Sequence, residues 1–172
     1  KMNKLGTALL LLLLLVILPA GSWIYLKKGA DYRKQIMKEL ENKTPFNVTL
    51  RTVDSTDIPF KNKCTLLSLH TDEKALQDVY RQFKEARGFQ LIAENNADIF
   101  RQEYKKTNAE IDAMINNSYK QINKNQLIEL QSRFNGKDFV LIDSLNQIRN
   151  TYTKSDMTKL INHIPPLLPY FD

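Results

Sequence analysis

The sequence predicts an α/β domain preceded by one N-terminal transmembrane helix. Three observations predict it. The run Leu5–Leu26 is 22 residues long without a charge. Short β-type runs at Cys64–Leu69 and Phe89–Ala93 flank a segment with helical apolar spacing. A final pair of β-type runs, Phe139–Asp143 and Ile148–Tyr152, leads into a closing helix.

At 1.5 Å per residue the uncharged run reaches about 33 Å, enough to cross a hydrocarbon core of about 30 Å. Trp23 and Tyr25 stand where an aromatic belt meets the headgroups, and Lys27 and Lys28 follow as interfacial anchors. The same stretch also fits a cleaved secretory signal, with Lys4, the apolar run Leu9–Leu18 and the small residues Ala20, Gly21 and Ser22. No cysteine closes the run, so an anchor here is proteinaceous. Lys1 and Lys4 precede it, and Lys27, Lys28, Arg33 and Lys34 follow, so charge alone gives no clear orientation.

Asp31–Glu41 is polar, with Ile36, Met37 and Leu40 at helical spacing, and is expected as a short helix or stiff linker ended by Pro45. The expected organisation is an anchor over 1–28, a linker or short helix over 29–45 and a domain over 46–172. Phe46, Val48 and Leu50 alternate, and Asp54-Ser55-Thr56-Asp57 supplies turn chemistry before Ile58-Pro59-Phe60, so 46–60 reads as a β-hairpin. Cys64–Leu69 (CTLLSL) is nearly continuously apolar, as a central strand covered on both faces should be.

Thr71 can cap a helix with Asp72 and Glu73 in its first turn. Ala75, Leu76, Val79, Tyr80 and Phe83 then repeat at helical spacing, and Gly88 is a stop, which predicts a helix over 72–86. Phe89–Ala93 (FQLIA) is the next strand, parallel to the first through a right-handed crossover. From Asn96 to Asn135 the apolar positions suggest two helices, one around Ile99–Ile115 and one around Leu127–Leu130, parted near Asn116-Asn117-Ser118; a strand there gives no signal. Phe139–Asp143 and Ile148–Tyr152 form an antiparallel hairpin about Ser144–Gln147. Ser155 can cap a last helix carrying Met157, Leu160, Ile161 and Ile164, until Pro165-Pro166.

This series resembles the thioredoxin-like fold in its peroxiredoxin or Sco-type form. Lys137–Leu168 in particular is similar to the end of Sco-family proteins, which assemble the copper site of cytochrome oxidase: an F-x-L-I-D strand, a turn, an I-R-x-x-Y strand and a helix ending in apolar residues. The resemblance implies a single anchor ahead of an extracytoplasmic domain at the inner (cytoplasmic) membrane. It also implies a C-x-x-x-C pair just after the central strand and a histidine ahead of the terminal hairpin, and both are missing. The turn reads His70-Thr71-Asp72-Glu73-Lys74, and Phe134-Asn135-Gly136-Lys137-Asp138 precedes Phe139, with Asp138 where thioredoxins usually carry a cis-proline. Copper(I) favours soft thiolates, so no copper-binding role transfers to these positions, and no cofactor is expected.

Cys64 and His70 are the remaining site candidates. Cys64, the only cysteine, excludes an internal disulfide or a multi-thiolate zinc site and reads as a small apolar filler of a buried strand. Its alternative role is the thiolate of a single-cysteine peroxidase or reductase. His70 stands where the fold presents its active turn and could take a proton or meet a metal, but alone it reads as a loop residue. His163, near a helix end, is expected to meet terminal carbonyls. Asp72 and Glu73 point to different sides of a helix and complement its dipole rather than forming a dyad. The sequence has no phosphate-binding, dinucleotide, zinc-protease or nucleophile-elbow motif.

Of the 25 basic residues, Lys1 and Lys4 precede the apolar run. Residues 27–172 therefore carry 23 basic against 19 acidic residues, a formal +4. The bases are scattered, which argues against nucleic-acid binding; the nearest thing to a cluster, Lys27 to Lys38, lies directly beside the apolar run, where attraction to anionic headgroups or a solvated linker explains it as well. The expected partners are the lipid bilayer and an integral membrane complex such as cytochrome oxidase, with no small-molecule substrate. A periplasmic protein-binding module is a further reading.

Overall fold

A computed structural model describes residues 4–70, 73–94 and 118–169. The chain divides into two units, Lys1–Glu39 and Leu40–Asp172. The first is one helix, α1 (Lys4–Glu39), with Pro19 inside it. It is long and apolar enough to cross a membrane, and no part of its apolar window is buried in protein. Its 36 residues span about 54 Å. The helix continues through the polar residues after Leu26, so the short helix expected from Asp31 is continuous with the apolar run.

Among the described residues, the second unit is built on a six-stranded mixed sheet. Its strands are β1 (Thr44–Pro45), β2 (Cys64–Ser68), β3 (Phe89–Glu94), β4 (Tyr119–Ile122), β5 (Phe139–Ile142) and β6 (Gln147–Tyr152), in the spatial order β1-β6-β5-β2-β3-β4. Every residue of β2 is buried, as its unbroken apolar run requires. It pairs in parallel with β3, Cys64 opposite Phe89, and antiparallel with β5, Ser68 opposite Phe139. Helix α2 (Glu73–Phe83) makes the crossover between β2 and β3 and buries Leu76, Val79, Tyr80 and Phe83. Gly88 turns the chain into β3 at φ 80°, a left-handed conformation that glycine adopts without a Cβ clash. The Thr71 cap lies outside the described residues, as does 95–117, where one helix was expected.

Period-two alternation divides the strand side chains between two faces. On one face Leu67, Leu69, Ile92, Ile122, Val140, Ile142 and Ile148 form a cluster with Phe46, Leu50, Ile58 and Phe60 and with Leu127 and Leu130 of helix α3 (Lys124–Arg133). On the other face Phe89 meets Phe83 of α2 at 5.5 Å between ring centroids, and Tyr152 meets His163 of helix α4 (Met157–His163) at 5.7 Å.

Several expectations are corrected. The hairpin over 46–60 is reduced to one bridge, Arg51 with Asp57, closed by Thr52 N–H to Thr56 O at 2.8 Å and Ile58 N–H to Leu50 O at 2.8 Å. Phe46 instead binds the terminal hairpin, donating its N–H to Asn146 O at 3.0 Å, and the two residues before it form β1 against β6. Strand β4 gave no signal because only the ends of Tyr-Lys-Gln-Ile are buried; its position is set by parallel pairing with β3, Leu91 opposite Tyr119. Ser155 does not cap the last helix: Asp156 stands at its N-cap position without a side-chain cap bond, and Thr153 is the N-cap of the turn that precedes it. Asp156 Oδ2 accepts from the Thr153 N–H at 3.0 Å and hydroxyl at 2.8 Å, and a 3-10 turn, Lys154–Asp156, precedes α4.

Candidate functional site

The end of the central strand is where this topology presents side chains to solvent, since β2 finishes at Ser68 and the chain must leave the sheet. Ser68 Oγ donates to His70 O at 2.9 Å, and Leu69 N–H donates to Asp138 O at 2.8 Å, so the exit of β2 is tied to the entry of β5. Gln131 of α3 adds a side-chain N–H to Leu69 O. This brackets His70 against Asp138, with Nδ1 3.3 Å from Oδ1. The other carboxylate oxygen of Asp138 accepts the Lys154 N–H at 2.8 Å. The imidazole is 46% exposed and the carboxylate side chain 19%. A carboxylate oxygen beside Nδ1 can accept a hydrogen bond from an N–H on that ring nitrogen.

Cys64 lies at the opposite end of β2, six residues and about 20 Å of extended chain from His70. It is fully buried. Burial, and then the negative charge of Asp143, push its thiol up to about 12. Sulfur and imidazole are therefore not brought together. Copper, which the Sco family carries, does not fit the described residues of this edge: the donors among them are one imidazole and one carboxylate with no thiolate, and no group of three or more His, Cys, Asp or Glu gathers among the described residues. Trp23 and Tyr25 on α1 are 70% and 80% exposed, and Lys27 and Lys28 project beside them.

Two polar constellations escaped the sequence reading. Asp143 is buried, and its Oδ1 accepts the N–H groups of Leu145 and Gln147, each at 2.9 Å, while its Oδ2 accepts Arg149 Nη1 at 2.9 Å. Arg149 Nε donates in turn to Leu40 O at 2.7 Å. An aspartate closing a strand two residues before a turn donor was the available signal, an Asx-type turn. His163 is buried and meets the Tyr152 hydroxyl through Nδ1 at 2.7 Å. Beside Cys64, burial and the nearby Lys120 hold the Lys63 ammonium below its usual range.

A βαβ unit followed by an antiparallel ββα unit, sharing one sheet with the first strand at the centre, decides the class. The fold is thioredoxin-like. No protein family and no curated protein matches the sequence. Among solved structures, the chain is similar to a SCO1/SenC family lipoprotein from Bacillus anthracis, at 11% identity, with 74% of this chain and 96% of that one covered and a TM-score of 0.47. It is also similar to a putative thiol-disulfide oxidoreductase from Bacteroides vulgatus (13% identity, 73% and 98% covered, TM-score 0.44). A third is a putative electron transfer protein from Aquifex aeolicus (15%, 73% and 96%, TM-score 0.42).

Proposed function

We propose that this chain is a single-pass, membrane-anchored thioredoxin-like protein without redox activity of its own, serving as an accessory or assembly subunit of a membrane respiratory complex such as cytochrome oxidase. The observation that carries the redox-inactive part is at β2: its exit bears the His70–Asp138 pair, and the single thiol is sealed at the other end of the strand with its pKa pushed up. A thiol peroxidase needs an exposed thiolate stabilised by positive charge, and Cys64 has burial and a neighbouring carboxylate instead. The anchor is supported by the length and apolar exposure of α1. The oxidase partner, and an extracytoplasmic position at the inner membrane, rest on the Sco-like character of Lys137–Leu168.

The test is gentle solubilisation of membranes and purification of the full chain. Oxidase subunits recovered with it in stoichiometric amount are the expected result, and a chain recovered alone from membranes that contain the oxidase would overturn the partner assignment. Thiol labelling separates the enzymatic alternative: the reading requires Cys64 to stay unlabelled in the native protein.

A further inference from the structure

We propose that the segment of α1 leaving the bilayer selects anionic phospholipid headgroups, through Lys27, Lys28, Arg33 and Lys34. The proposal rests on the reading of α1 as a membrane anchor and names the lipid class that the anchor prefers.

The helix does not break where the charges begin. It continues from the apolar run to Glu39, so the heights of the cations follow from helix geometry. With the hydrocarbon boundary near Leu26, the Cα of Lys28 lies about 3 Å beyond it, that of Arg33 about 10 Å and that of Lys34 about 12 Å. The headgroup layer is about 5–7 Å thick on each side. Lys27 and Lys28 therefore lie within it, and Arg33 and Lys34 start just outside.

The direction of the side chains brings the second pair closer. Every Cα–Cβ bond in an α-helix tilts toward the N-terminus. Here the N-terminal direction is toward the bilayer, so the long side chains of Arg33 and Lys34 lean back to the headgroups. Their charges come within a Debye length of about 8 Å of the phosphates.

All four residues are exposed, and none makes an ion pair among the described residues. The one acidic residue between them is Asp31, so the segment presents a net +3 to the headgroup layer. Zwitterionic lipid offers no net charge to balance this, whereas an anionic phosphodiester does.

Trp23, the only tryptophan of the chain, reports which lipids surround this end of the helix. It is 70% exposed and one helical turn below Lys27. The full chain is reconstituted into vesicles of equal parts phosphatidylcholine and phosphatidylglycerol, with brominated acyl chains on one lipid or on the other. Bromine quenches an indole in contact with it. At low salt, brominated phosphatidylglycerol is expected to quench Trp23 roughly two- to fivefold more efficiently than brominated phosphatidylcholine. The ratio is expected to fall toward one at 0.5 M salt (about a 4 Å Debye length), and in the variant carrying Lys27→Gln, Lys28→Gln, Arg33→Gln and Lys34→Gln. Glutamine keeps the helix, because its propensity is close to that of lysine and arginine.

Equal quenching by both lipids in the unmodified chain would overturn the lipid preference and leave the anchor standing. A preference that survives in the fourfold variant would overturn its assignment to these residues. No quenching by either lipid would overturn the anchor reading itself.

Discussion

Arg149→Met is the perturbation with the largest effect that can be worked from the structure. The Asp143 and Arg149 side chains are 6% and 11% exposed, and their closest atoms are 2.9 Å apart. Removing the guanidinium leaves a buried carboxylate with two backbone N–H donors and no countercharge, and it takes the side-chain donor from Leu40 O. Breaking a buried pair from one side costs about 3–5 kcal/mol. The unit Leu40–Asp172 has about 130 residues, so its unfolding entropy is about 0.27 kcal/mol per degree, and the loss corresponds to a fall in Tm of about 11–18 °C. The assay is thermal unfolding of the full chain in detergent, followed by near-UV circular dichroism of the buried tyrosines Tyr80, Tyr119 and Tyr152. Asp143→Leu combined with Arg149→Met removes both charges, and its loss should be well below the sum of the losses of the two single variants. A fall of less than about 3 °C for Arg149→Met, or strict additivity in the double variant, would refute the claim that these charges depend on each other.

Cys64 should resist a thiol reagent at pH 8 until the protein unfolds; labelling of the native chain at the rate of a free thiol would contradict its burial. Its proton is held in the fold and lost from the unfolded chain above the ordinary pKa of 9.0, so its contribution to stability falls as pH rises from 9 toward 12, by about 1.4 kcal/mol per unit. Cys64→Ala should therefore lose its disadvantage against the parent by about 2 kcal/mol between pH 8 and pH 10.5 in urea titrations. Gln90 is fully buried, with long bonds of 3.3 Å to Pro59 O and 3.4 Å to Thr65 Oγ1 and no partner for Oε1 among the described residues. Gln90→Met should be within about 1 kcal/mol of the parent or more stable, and a loss above about 3 kcal/mol would mean that a bound water completes the site. Asp156, held below the usual carboxylate range chiefly by its bond from the Thr153 N–H, gives stability that is present above its unfolded pKa and lost as pH falls through the lower folded value. Asp156→Asn should flatten the acid limb of a stability–pH profile.

The sequence discloses those elements whose apolar pattern is set by burial on a whole face. Cys64–Leu69, the α2 repeat Leu76–Val79–Tyr80–Phe83 and the Phe139–Tyr152 hairpin all have this property, and all three are where periodicity puts them. What it hides is held by backbone pairing or by charge. Tyr119–Ile122 is a strand because β3 offers it a ladder, and its middle residues carry no apolar signature. The 46–60 segment has the alternation of a hairpin, yet it is spent covering one face of the sheet, which needs buried Phe46, Leu50, Ile58 and Phe60 but not a ladder. At the candidate site His70 was legible from its place after the central strand. Its companion Asp138 was legible only as a missing proline, since 68 positions separate the two and nothing local links them.

One edge strand of the sheet, β1, is two residues long, and one of its residues is Pro45, paired with Gln147; β4 forms the other edge. A proline has no amide hydrogen to offer, so this flank is closed to a visiting strand at that residue. A polypeptide approaching from that side would have to bind through side chains. The same blunt border discourages two copies of the chain from joining their sheets through the β1 edge, where a flush strand would find neither length nor a full set of donors.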